Sequence, residues 1–135
     1  MNNRELILLK QLAKCWNELD TIHLERYLSE YVIYESQYVL TPLLGKIEVL
    51  DYLDEKFLTI RNHMKTKLIL INASIGYLPS MSMRSCIILS QIIEKEMNQS
   101  TVLIEIKDSL ISRIDICFIP ATKDVMFEGM EINLN

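Results

Sequence analysis

Few side chains in this chain could carry chemistry, and their spacing limits what they could do. The three cysteines, Cys15, Cys86 and Cys117, lie far apart with no C-x-x-C pair, and only His23 and His63 could add ligands. Neither a zinc site nor a disulfide framework is expected, and reduced thiols fit a cytoplasmic protein. There is no Gly-rich phosphate loop, no Ser-His-Asp order and no carboxylate cluster with calcium spacing, so no cofactor or metal is expected. Arg113-x-Asp115 puts opposite charges on one strand face, where the plain role is cross-strand pairing with Glu105 or a contact between subunits. Gln91 interrupts the apolar run Cys86–Ile93. A buried amide must be paired, so Gln91 either orients a ligand or satisfies a neighbouring polar group. His63 follows a predicted helix, where it complements the dipole, and His23 is expected at the surface. Trp16 and Tyr52 have helical spacing that turns them toward a sheet, as core or as pocket wall. Met64, Met81 and Met83 are candidates for an adaptable pocket mouth or for plain filler.

What must hold these residues is one domain, residues 1–135. The length and the mass of 15.8 kDa suit a single core. Hydrophobic residues make up 50% of the chain and charged residues 24%, the balance of a globular protein. With 19 Ile but 3 Gly and 3 Pro, it should hold few long loops and much buried sheet. A formal charge of −4 and a pI near 5.2 argue against nucleic acid and anionic membranes as partners. The longest apolar runs fall short of the ~20 residues a membrane span needs. The first residues read as an amphipathic helix rather than a signal peptide.

The periodicity predicts a first helix capped by Asn3, with Leu6, Leu9, Leu12, Ala13, Trp16 and Leu19 in one stripe. Asp20 or Thr21 should cap a short second helix, Ile22 to Leu28. Tyr31 to Leu40 suits a strand or bent strand pair. A third helix runs from Lys46 to about Asn62, with Ile47, Leu50, Leu53, Phe57 and Ile60 inward. Four antiparallel strands follow: Lys67–Ile75, Arg84–Glu94, Thr101–Ile106 and Leu110–Ile119. Gly76–Ser82 is read as a loop and Asn98 as a break. The core spans about 4–120, and the tail, 121–135, is expected to be loose, with Val125, Met126 and Phe127 free to dock.

Pattern also selects the register of the last hairpin. A two-residue loop at Asp108-Ser109 sets Ile104 opposite Arg113. A three-residue loop sets Ile104 opposite Ile114 and Glu105 opposite Arg113, which gathers Val102, Ile104, Ile106, Ile114, Ile116 and Phe118 on one apolar face. The second register is expected. The other face, with Leu103, Arg113, Asp115 and Cys117, is then the expected homodimer surface. Helices segregated to one side of a curved, mainly antiparallel sheet make an α+β cone.

Several segments together resemble the nuclear transport factor two-like superfamily in its SnoaL-like branch. They are Trp16-Asn-Glu-Leu-Asp20, Tyr27-Leu-Ser-Glu-Tyr-Val-Ile-Tyr-Glu-Ser36, Leu44-Gly-Lys-Ile-Glu-Val-Leu-Asp-Tyr-Leu53 and the hairpin Val102–Asp115. The resemblance covers roughly residues 4–120. It implies a cone-shaped α+β barrel, three N-terminal helices on a curved mixed sheet, with a pocket and often a homodimer packed through its sheets. The superfamily includes ketosteroid isomerase, polyketide cyclases, scytalone dehydratase and limonene epoxide hydrolase, so the fold alone does not set function.

Matching to ketosteroid isomerase implies that Glu35 stands where that enzyme has its proton-shuttling carboxylate. A carboxylate inside an apolar cone would have raised proton affinity, which suits a general base. The same matching puts Leu12 and Val102 at the two positions of the oxyanion hole, so the electrophile is missing. Tyr31, Tyr34 or Tyr38 could donate from another wall. Arg113-x-Asp115 is similar to the Arg-x-Asp pair of limonene epoxide hydrolase, but it falls on the last strand and on the mixed face. The pocket is then expected to be lined by Trp16, Tyr31, Tyr38, Tyr52, Gln91, Val102, Ile104 and Ile116. Three uses remain open: a binder of a small apolar molecule, a cofactor-free isomerase, cyclase or hydrolase with Glu35 as base, and an interaction module with a self-filled cone.

Overall fold

The computed structural model describes residues 3–37, 39–65, 69–118 and 126–127. The first apolar stripe folds as helix α1, Asn3–Glu18, burying Leu8, Leu9, Leu12, Ala13, Cys15 and Trp16. Leu19 ends it in the left-handed region (φ 53), and two bonds close the terminus: Asp20 N–H to the Cys15 carbonyl at 3.0 Å and Leu19 N–H to the Trp16 carbonyl at 3.3 Å. This is a Schellman arrangement with Leu where Gly is usual; its side chain is buried, which offsets the backbone cost. The expected short second helix is a pair of 3-10 turns, Thr21–His23 and Glu25–Tyr27, the first capped by the Asp20 carboxylate on Ile22 N–H at 3.0 Å.

Strand β1 is Leu28–Ser36 and strand β2 is the two-residue Leu43–Leu44. Helix α2, Lys46–Met64, buries Val49, Leu53 and Phe57, with Leu50 and Ile60 packed partly against the core. Ile47, expected inward, is 76% exposed; it sits in the first turn of α2, and Val49 takes the inward place. Strands β3 (Ile69–Leu78), β4 (Arg84–Ile93), β5 (Glu96–Lys107), β6 (Leu110–Phe118) and β7 (Met126–Phe127) complete an open seven-stranded sheet, in the order β2-β1-β6-β5-β4-β3-β7. All neighbours are antiparallel except β1 and β6.

Two strands run longer than expected. β3 continues through Gly76 to Leu78 because β4 and β7 supply partners there. β5 begins at Glu96, because Glu94 and Lys95, both at positive φ, make a two-residue turn that pairs the polar stretch Glu96–Ser100 with β4. Of the tail, Met126 and Phe127 do dock as β7, while Val125 lies outside the described residues, as do Tyr38 and the ends expected at Lys67 and Ile119.

The last hairpin has the expected pairs, Glu105 with Arg113 and Ile104 with Ile114, but reaches them by another route. The loop is two residues long, Asp108 and Ser109 at φ 54 and 66, and Lys107 faces Leu110. Ser112 is then the extra residue of a β-bulge, held by its hydroxyl on the Glu105 carbonyl at 3.1 Å. Arg4 fixes the hairpin tip to α1 by donating to the Ser109 carbonyl at 2.7 and 2.9 Å.

The core lies between the helices and the sheet face that carries Val32, Tyr34, Ile87, Leu89, Val102, Ile104, Ile114 and Ile116. A smaller cluster, Leu78, Cys86 and Ile88 with Leu103, forms on the opposite face. Asn17 joins α1 to the edge of the sheet, accepting from Ala73 N–H at 2.7 Å and donating to the Ala73 carbonyl at 2.8 Å.

Candidate functional site

Alternation along β1 decides which side chains meet the helices. Val32 and Tyr34 point to the core; Tyr31, Ile33 and Glu35 therefore belong to the outer face. Glu35 is thus not where the cone would use it. Its carboxylate is ion-paired to Arg113, and its side chain is 45% exposed. Arg113 Nε also donates to both carboxylate oxygens of Asp115, at 3.1 and 3.2 Å. The register explains the cluster: Ile33 is opposite Arg113 and Glu35 opposite Asp115 in the parallel β1–β6 ladder. The hydrogen bond that Arg113 donates to the Glu35 carboxylate, with the adjacent Asp115, holds the guanidinium above its already high ordinary pKa. The alternation of Val32 and Tyr34 was the signal in the sequence that could have placed Glu35 outside.

The interior is occupied by aromatic side chains. Trp16 and Phe57, both 1% exposed, meet edge to face with ring centres 5.0 Å apart. Tyr34, also 1% exposed, lies 5.4 Å from Tyr52, which is half-buried. Val102, Ile104 and Ile116 share the same buried cluster with Trp16. Gln91 is half-buried and sits in register between Ile71 and Asn98, in phase with the core-facing Ile87 and Leu89. Tyr31, by contrast, is 88% exposed on the outer face, away from the expected pocket, because it shares the phase of Ile33 and Glu35. Tyr38 lies outside the described residues.

The titratable groups inside are kept neutral. Burial, reinforced by Asp20 and Asp54, pushes the Cys15 thiol up to about 12. Burial, then Tyr52 and Cys15, pushes the Tyr34 phenol up, and burial alone does the same for Tyr52. Such groups are poor nucleophiles and poor bases near neutral pH. His23 Nε2 lies 3.2 Å from Glu18, and His63 is in the last turn of α2. Among the described residues no cluster of His, Cys, Asp and Glu could hold a metal ion, and no helix is long and apolar enough to cross a membrane.

The outer side carries grooves. One, of about 630 Å³, is bordered by Tyr31, Ile33, Glu105, Asp108, Leu110 and Arg113. A second, of about 490 Å³, surrounds the start of α2 at Leu44, Gly45, Ile47, Glu48 and Asp51. Both touch Glu30. A smaller hollow of about 170 Å³ lies at Glu35, Asp115 and Cys117. At the far end of the sheet, Met83 borders a groove of about 460 Å³ with Tyr77 and Arg84. Sequence reasoning did not single out the strip formed by Ile33, Leu44 and Ile47.

Comparison with solved structures places this architecture. A candidate ketosteroid isomerase from Kribbella flavida matches with a TM-score of 0.62 at 14% identity, covering 87% of this chain and 79% of that one. A steroid delta-isomerase from Pseudomonas aeruginosa matches with a TM-score of 0.61 at 12% identity, covering 90% and 84%. A nuclear transport factor two-like protein of unknown function from Cytophaga hutchinsonii matches with a TM-score of 0.55 at 9% identity, covering 84% and 88%. No family model and no curated protein matches the sequence. The chain therefore has the nuclear transport factor two-like fold, the α+β cone that the sequence resemblance implied. That fold supports ligand binding or catalysis in general and specifies neither.

Proposed function

We propose that this protein is a non-catalytic interaction module that works through the outer face of its sheet, with a cone filled by its own side chains. One observation carries the reading: Trp16 and Phe57 fully bury each other between helices and sheet, while Glu35, the candidate base, is turned outward onto Arg113. A base needs its substrate within hydrogen-bond reach, and the cone interior is beyond the reach of this one. The test is native mass spectrometry of freshly purified protein alongside Glu35→Gln. The bare chain mass, with identical ligand-free spectra for the variant, is expected. A retained small molecule lost on Glu35→Gln would overturn the proposal.

A second reading is favoured by Tyr34 and Tyr52. Their rings meet at 5.4 Å, one buried and one half open, and could receive a small apolar molecule with one hydrogen-bond acceptor. This reading predicts a retained ligand that Tyr52→Ala releases and Glu35→Gln does not.

A further inference from the structure

We infer that the strip formed by Tyr31, Ile33, Leu44 and Ile47 receives a basic amphipathic segment of a partner protein. The inference rests on the outer face being the working surface. Three of these residues are large, apolar and open: Tyr31 is 88% exposed, Leu44 63% and Ile47 76%. They are contiguous, because Ile33 and Leu44 are partners in the β1–β2 ladder and both grooves meet at Glu30. Exposed apolar residues joined in this way mark a contact surface, whereas scattered ones do not.

Charge selects the occupant. The rim is acidic, with Glu30, Glu48 and Asp51 around the start of α2 and Glu105 and Asp108 at the hairpin end. Three cations line the same grooves against these five carboxylates, Lys46, Lys107 and Arg113, and two of them are already opposed: Lys46 lies 4.0 Å from Glu30, and Arg113 is held by Glu35 and Asp115. A partner bearing Lys or Arg around an apolar stripe would match this pattern. A second copy of the chain matches it poorly, since a two-fold contact would set the acidic rim against itself. Pairing by an added strand is also disfavoured. β2 has only two residues, and the Leu44 N–H is taken by the Glu48 carboxylate at 3.1 Å.

The probe is a fluorescent amphipathic leucine–lysine helix, titrated into the full chain by anisotropy, with a leucine–glutamate helix as its counterpart. Sedimentation of the chain alone is run in parallel. The lysine peptide should bind and the glutamate peptide should not. Leu44→Glu/Ile47→Glu, which adds negative charge but removes the apolar centre, should weaken binding at least about tenfold, and so should Asp51→Lys/Glu105→Lys. All four positions are exposed, so the fold is retained. Undiminished binding to Leu44→Glu/Ile47→Glu would overturn the inference, since charge alone would then suffice. A dimer abolished by the same pair would also overturn it, while leaving the outer face as the interaction surface. Neither peptide binding nor a dimer would overturn both the inference and the reading beneath it.

Discussion

The two sides of strand β1 carry comparable side chains and put them to opposite uses. On one side, Val32 and Tyr34 are sealed against Trp16, Phe57 and the β6 isoleucines. On the other, Tyr31 and Ile33 lie in an open groove and Glu35 is clasped by Arg113. A tyrosine is thus 1% exposed at position 34 and 88% exposed at 31. The difference teaches that residue type says little here and phase says nearly everything. A strand has two faces, only one face can join the helices, and the chemistry-bearing carboxylate falls on the other.

The sharpest way to break this comparison is to truncate one aromatic on each side. Trp16→Ala should lose about 3–5 kcal/mol of stability by urea unfolding, because it empties the centre of the core. Tyr31→Ala should change it by less than about 0.5 kcal/mol. Similar losses at both positions would erase the distinction between the faces.

Alkaline pH probes the buried side of the comparison by titration. The Cys15 and Cys86 thiols are pushed from 9.0 up to about 12, mainly by burial. Above pH 9 the unfolded chain loses these protons while the folded chain keeps them. Stability should therefore be complete below about pH 9 and decline toward pH 12, with a slope approaching about 1.4 kcal/mol per pH unit for each thiol. Urea midpoints across that range, with Cys15→Ala reducing the slope, would check it. The same burial predicts that Cys117, which is exposed, reacts first with a thiol reagent at about pH 8.

On the outer face the effects should be small. Arg113→Met removes an ion-pair cluster that is partly in solvent, and should cost about 0–1 kcal/mol, less still in high salt. Glu35→Gln should be nearer zero by thermal unfolding. A loss above about 2 kcal/mol from either variant would mean that the cluster supports the fold in the way the core does.

Much of the fold was legible because it rests on periodicity. The stripe of α1, the third helix and the pairing of Glu105 with Arg113 all follow from burying isoleucine and leucine. What was not legible depended on local geometry. The bulge at Ser112 and the two-residue turn at Asp108-Ser109 give together the register that a longer loop would have given alone. Glu96–Ser100 is too polar to read as strand, yet the turn at Glu94-Lys95 sets it against β4. The candidate site was less legible than the fold. Trp16 packs into the core as its spacing predicts, and Val102, Ile104 and Ile116 share one apolar face, but Glu35 and Tyr31 lie on the outer side of β1 rather than in the cone. Resemblance to an enzyme located a strand, and the apolar alternation within that strand determined its phase.

Asn17 has a consequence for how this chain behaves among copies of itself. Its amide copies one residue of a neighbouring strand, satisfying both backbone groups of Ala73 on a stretch of β3 that β7, at Gly76 and Tyr77, does not reach. At the opposite border Glu48 occupies the Leu44 N–H in the same spirit. An open sheet rich in isoleucine is a ready template for fibrous growth, and two side chains blunt both of its borders. Open backbone groups at the rims are therefore capped by single polar side chains, and Asn17→Leu, which uncovers both backbone groups of Ala73, should increase aggregation with time and concentration, as read by light scattering.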